Sequence, residues 1–359
     1  MEDEGSLTQP PSPRREDELC TQPPTTRVQS ALGTSLAFLL VVMNVKGGGR
    51  KDKITKKYLS ARSKEENPGI TQPQAGVFRE SMASFLSYIQ GRFESMLPAA
   101  WLLTEVAWSL KGNNMSALSR HARDGASSRR ETQGKPEAAV ICGEGYAEGA
   151  EALTLELLSN KRGTGKHYVQ IAGKSLRVDT LDDFDVKQYE EMLSRVAAAR
   201  LTLAPNRQCL LLTYHGLHII TGPGSDKEKF RRKCRYLRWL LLLARGLAEV
   251  LGSPVVVGGD LNLDVSKLEV KEVLGDATEG AELVEYKVNL RRKKNVVDWL
   301  YLINPRNGHT RLEWDKCVAV DPAQPYRERL AEGITLHPNW FDHDALLALL
   351  RLVVCRQTA

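Results

Sequence analysis

Val255-Val-Val-Gly-Gly-Asp-Leu-Asn-Leu-Asp264 is the stretch on which the reading of this sequence turns. Its β-branched opening predicts a buried strand. Two glycines then bring the backbone close to a neighbour, and Asp260 and Asn262 follow two residues apart. On an extended segment that spacing puts both side chains on one side of the strand end. A carboxylate and an amide emerging there suit a divalent cation and a phosphate oxygen. The same residues are also those of a strand running into an Asx turn. What surrounds them in the chain has to decide.

Upstream, residues 227–251 predict the clearest helix. Its second half is apolar nearly all round (Leu237, residues 239–244, Leu247), as a helix packed on a sheet face requires, and Gly252-Ser-Pro254 stops it. Its first half carries Lys229, Arg231, Arg232, Lys233 and Arg235, a solvated face or a contact for a phosphate backbone. Before it, residues 209–216 predict a strand ending in His215, and residues 197–203 another with Arg195 just ahead. Strands are also expected over 36–45, 99–108, 138–142 and 167–171. The first carries Asn44 near its end, ahead of Gly47-Gly-Gly49, and the second carries Glu105. Helices are expected over 51–66, 85–89 and 148–159, with residues 183–196 and 266–284 helical or looped. Residues 111–136 read as a polar loop, and 304–338 as irregular. Downstream, Asp298 is embedded in an apolar strand, where a carboxylate is costly unless bonded or paired. Asp342 and His343 stand directly ahead of the last apolar run. Taken singly, Asn44 is a turn cap, Glu105 a solvated strand end and His215 a packed histidine.

Composition narrows the class. The 359 residues are 42% hydrophobic, ample for a core, and the net charge of +6 permits a polyanionic partner without demanding one. The six cysteines form no CxxC and no zinc spacing, so reduced thiols in an intracellular protein (cytoplasm or nucleus) are expected. The longest early apolar run is about half of the roughly 20 residues that a membrane span needs, and the acidic, Pro-rich start is unlike a signal peptide. Residues 1–34 predict a disordered tail, and residues 35–356 one domain, with a monomer favoured.

Asn44 at a strand end, Gly259-Asp-Leu-Asn262, the embedded Asp298 and Phe341-Asp-His343, in that order, resemble the endonuclease/exonuclease/phosphatase superfamily, whose fold is DNase I-like. The resemblance runs from about residue 36 to residue 354. It implies a four-layered α/β sandwich of two mixed β-sheets flanked by helices. It implies a Mg²⁺ (or Mn²⁺)-dependent hydrolase acting on a phosphoester, most simply a nuclease-like phosphodiesterase, with nucleic acid among the candidate substrates. Glu105 would then be the main metal ligand, with Asp342 close to the same centre and Asn44 supporting it. Asp260 and Asn262 would position the water and the scissile phosphate. His343 would be the acid/base group, oriented by Asp298. His215 looks like the second histidine of the nuclease and phosphatase branches, and Arg195 is a candidate phosphate contact. In relatives the metal Glu follows a Gln and lies nearer the first Asn; here Thr104 precedes Glu105, 61 residues after Asn44. Either an extra segment occupies residues 70–98 or the ligand is another residue such as Glu80. If neither carboxylate reaches the site, the alternative is an impaired member that binds nucleic acid or protein through 229–235 and 291–294.

Overall fold

Residues 255–260 form a strand with a hydrogen-bonded neighbour on each side, the central place that a continuous apolar run needs. The computed structural model describes residues 35–45, 74–106, 122–131, 136–143, 149–159, 165–217, 226–286, 297–330 and 343–355. The expected tail over 1–34, the helix over 51–66, the basic run 291–294 and Asp342 lie outside them.

In chain order the elements are β1 (Ser35–Asn44), α1 (Gln74–Arg92), β2 (Pro98–Thr104), β3 (Ala122–Ser127), β4 (Ala138–Gly143), β5 (Gly149–Leu153), β6 (Glu156–Ser159), β7 (His167–Ile171) and β8 (Lys174–Arg177). Then follow α2 (Val186–Ser194), β9 (Val196–Ala204), β10 (Arg207–Tyr214), α3 (Asp226–Leu251), β11 (Val255–Asp260), α4 (Leu268–Leu274), β12 (Ala281–Leu283), β13 (Asp298–Ile303), β14 (Thr310–Val320), α5 (Gln324–Arg327) and β15 (Ala345–Val354). One six-stranded mixed sheet has the order β14-β15-β1-β2-β4-β3, and the other β12-β13-β11-β10-β9-β5; β6, β7 and β8 form a small third sheet.

Alternation along β1 shows why its sequence is apolar from Leu36 to Met43. Phe38, Leu40 and Val42 face inward with Leu102 and Val140 against Leu211, Val256 and Leu300 of the other sheet. Leu39, Val41 and Met43 face outward, against Phe85 and Ile89 of α1. Beyond the second sheet, Leu237, Leu240 and Ala244 of α3 cover Leu210, Val255 and Val257. The result is helix, sheet, sheet, helix: the four-layered sandwich expected from the sequence. Among the described residues, no helix is long and apolar enough to cross a membrane.

Several local expectations fail for one reason, that pairing in the folded chain outweighs local propensity. Residues 148–159 are not a helix: β5 adds to the edge of the second sheet beside β9, and β6 pairs with β7. The polar stretch 111–136 contains β3, paired with β4. The irregular stretch 304–338 contains β14, an edge strand bearing Arg311, Glu313, Asp315 and Lys316, charges that suit an edge. The helix expected over 85–89 is present and longer, as the middle of α1.

Gly259 has φ 133°, and a Cβ there would lie 2.4 Å from the Tyr214 carbonyl oxygen on β10. This is the close approach for which the second glycine is needed. Gly259→Ala should cost about 1–3 kcal/mol, read as a lower urea midpoint at unchanged slope.

Candidate active site

The two sheets present polar residues at one common end, and these residues meet in matched pairs. In the first sheet β15, β1, β2 and β4 are successive; in the second β13, β11, β10 and β9 are successive. His343, just ahead of β15, places Nδ1 2.5 Å from Oδ2 of Asp298 at the start of β13. Asn44, the last residue of β1, donates from Nδ2 to Oδ2 of Asp260, the last residue of β11, at 3.0 Å. Glu105 follows β2 and sets Oε1 3.8 Å from Nε2 of His215, which follows β10. Glu137 precedes β4 and sets Oε2 2.7 Å from Nη1 of Arg195, which precedes β9. Each pair joins one sheet to the other. The chain has the DNase I-like fold.

Solved structures similar to this DNase I-like chain include a humanised D. rerio TDP2 carrying 14 mutations, at 12% identity, covering 88% of this chain and 98% of that one, with a TM-score of 0.47. The human Nocturnin catalytic domain with bound sulfate is 12% identical, over 93% and 100% of the two chains, at a TM-score of 0.43. An endonuclease/exonuclease/phosphatase from Bacteroides vulgatus is 13% identical, over 88% and 98%, also at 0.43. No family profile and no curated protein matches the sequence. At such scores these likenesses say nothing of the site; the fold rests on the strand order and the layers.

Strand register explains the spacing around Glu105. β1 and β2 are parallel neighbours, with Asn44 opposite Thr104, so Glu105 emerges beside Asn44 however long the connection is. The intervening chain includes α1. Asn44 Nδ2 also donates to Glu105 Oε1 at 3.3 Å. Glu80 sits on α1 and accepts from the Tyr326 hydroxyl at 2.7 Å, a contact on the outer layer. Of the two candidates, Glu105 is the one at the strand ends.

At Asp260 the Asx-turn reading holds, and one carboxylate oxygen is left facing the other site residues. Its Oδ1 accepts from the Asn262 backbone N–H at 2.9 Å, an Asx turn, while Oδ2 faces Asn44 and lies 4.0 Å from His343 Nδ1. The strand has ended by Asn262, whose φ is 52°, so the alternation argument does not extend to it. The Asn262 side-chain amide is held instead by the Gly216 carbonyl at 3.1 Å.

Arg195, expected at a phosphate, is directed to Glu137 and is buried with it. Glu137 also accepts from Arg130 Nε at 3.2 Å and lies 3.5 Å from His215 Nδ1. Sequence reasoning overlooked Glu137, although it stands directly before the apolar run 138–142, as Asp342 and His343 stand before the last one. The basic half of α3 is also largely engaged. Lys229 approaches Asp226, Arg232 pairs with Glu191 at 2.6 Å and Arg235 approaches Asp183; beyond that half, Arg238 bonds Asp182 and Asp276.

The electrostatics favour a cation. Burial works to lower the His343 pKa, but Asp298, then Asp260 and Glu105, outweigh it and raise the value to about 9. Burial and the adjacent Asp298 hold Asp260 above the usual carboxylate range, against the pull of His343 and His215. Ligand atoms of Glu105, His215 and Asp260 lie within 4.8 Å of one another, as do those of Asp260, Asp298 and His343. Asp298 Oδ1 and both ring nitrogens of His215 are buried without hydrogen-bond partners. Excess carboxylate charge and orphaned donor atoms fit a metal ion; these residues could hold one.

Proposed function

We propose that this chain is a divalent-metal-dependent phosphoesterase, acting as a nuclease-like phosphodiesterase with Mg²⁺ or Mn²⁺. The observation that carries the reading is the adjacency of two devices. An Asp298–His343 pair lies beside Asp260, and Asp260 is bonded through Asn44 to the neighbourhood of Glu105. Glu105 and Asp342 would hold the ion, with Asn44 orienting Glu105. When bound, the ion offsets charge on the phosphoryl oxygens and lowers the pKa of water. Asp260 and Asn262 position that water and the scissile phosphate. With Nδ1 turned to Asp298, His343 has Nε2 left to hold or deliver a proton in the cleft. Asp298 keeps that tautomer and stabilises the protonated ring, as the carboxylate does in other Asp–His pairs. Nucleic acid is the first substrate class to test.

The test is hydrolysis of a panel of DNA, RNA and simple phosphoesters with Mg²⁺ or Mn²⁺ and after chelation. Turnover that requires the ion is expected on at least one of them; none on any substrate with either ion sinks the reading. Glu105→Gln should weaken the ion requirement's midpoint by at least about ten-fold, in line with what removing a ligand-supporting group costs. Glu80→Gln should leave it where it is, and the opposite pattern would move the ligand to α1.

A further inference from the structure

We propose that His215 binds the cation directly through Nε2, and that the site is therefore built for a first-row transition-metal ion in preference to magnesium. The proposal rests on the reading above that a divalent cation occupies the strand ends. His215 is 7% exposed, and neither ring nitrogen has a hydrogen-bond partner. A buried imidazole nitrogen without a hydrogen bond carries a desolvation penalty, which a ligand at Nε2 would relieve. Nε2 points to Glu105 Oε1 at 3.8 Å, and Asp260 completes the set within 4.8 Å. Two donors about 2.1 Å from one ion are at most about 4.2 Å apart, so the set needs only a small closure to share an ion.

The groups behind the ring strengthen the case. A histidine that ligates a metal characteristically gives its other N–H to a carboxylate, which fixes the tautomer and makes the free nitrogen more basic. Here Nδ1 faces Glu137 Oε2 at 3.5 Å, and Glu137 is itself held by Arg195 at 2.7 Å and Arg130 at 3.2 Å. Asn44 bonds both Glu105 and Asp260, the two carboxylates grouped with His215 at the strand ends. The order outward from the ion is thus imidazole, carboxylate, guanidinium, every member but Arg130 buried. Magnesium is held by oxygen donors and waters, whereas imidazole suits later first-row ions such as iron, nickel and zinc; Mn²⁺ serves here as the paramagnetic probe.

Electron paramagnetic resonance of the full chain loaded with Mn²⁺ tests this without reference to turnover. A ¹⁴N hyperfine coupling is expected in the wild-type protein and in His343→Asn, and its loss in His215→Asn. Calorimetry should show Co²⁺ affinity falling at least about ten-fold in His215→Asn, while Mg²⁺ affinity hardly moves. Bound Mn²⁺ with no nitrogen coupling would overturn the proposal, as would a coupling that survives in His215→Asn. In those cases His215 faces the phosphate instead, and the phosphoesterase reading stands. If neither Mn²⁺ nor Co²⁺ binds, the His215 proposal falls, and the phosphoesterase reading is decided by the Mg²⁺ turnover assay alone. The wild-type spectrum decides even if His215→Asn does not fold.

Discussion

Asp298→Asn should lower kcat by about 10²–10⁴-fold, the range associated with a general acid or base, on any substrate that the wild-type protein cleaves. The amide keeps the shape of the side chain but offers His343 a dipole in place of a charge. The same change should bring the His343 pKa down from about 9, read by imidazole NMR of the metal-free protein. The stability consequence has a definite sign. A histidine whose folded pKa lies above its unfolded value near 6.5 contributes stability that is complete below about pH 6.5 and lost as pH rises through the folded value. The metal-free variant should therefore fall furthest behind wild type in acid, and the gap should close above about pH 9. Near-normal turnover in Asp298→Asn, with the His343 titration unmoved, would make Asp298 a purely structural carboxylate.

Arg195→Met should destabilise the protein by about 3 kcal/mol, the lower end of what removing one partner from a buried ion pair costs. Both side chains are over nine-tenths buried, so Glu137 would be left with an ill-compensated charge. Arg130, 43% exposed and 3.2 Å away, takes up part of it and places the value at that lower end. Adding Glu137→Gln to Arg195→Met should restore part of the loss, because the stranded charge goes with it; a double-mutant cycle in urea measures this. A loss under about 1 kcal/mol for the single variant would mean that the pair is open to water in solution.

The sequence was most legible where burial leaves a mark on composition. Continuous apolar runs marked β1, β2, β4, β10, β11 and β15, because each is covered on both faces. Polar residues at the ends of those runs marked Asn44, Glu105, His215 and Asp260 as residues brought to one end; Asp298, expected inside an apolar strand, is instead the first residue of β13. Edge strands were illegible for the converse reason. β3, β5 and β14 carry glycine, alanine or charge, and only their partners make them strands. Of the partners of the site residues, the resemblance implied Asp298 beside His343, which the structure brings to 2.5 Å, but not Glu137 beside Arg195. Nothing in the sequence says that Arg195 meets Glu137, since that contact depends on two sheets lying in one particular alignment.

The matched pairs have a mechanical consequence. Sliding one sheet along the other by a single residue, about 3.3 Å, would part all four contacts together. The site therefore works as a gauge of inter-sheet shear, and misplacement of reacting groups by about 1 Å can cost about 10²-fold in rate. Gly258 shows how narrow the tolerance is: a Cβ there would stand 2.8 Å from Leu102 Cδ1 on the facing sheet and 3.0 Å from Leu300 Cδ1 on its own. Side chains such as Val42, Leu102 and Val256, buried between the sheets, set the spacing across which the paired polar residues meet.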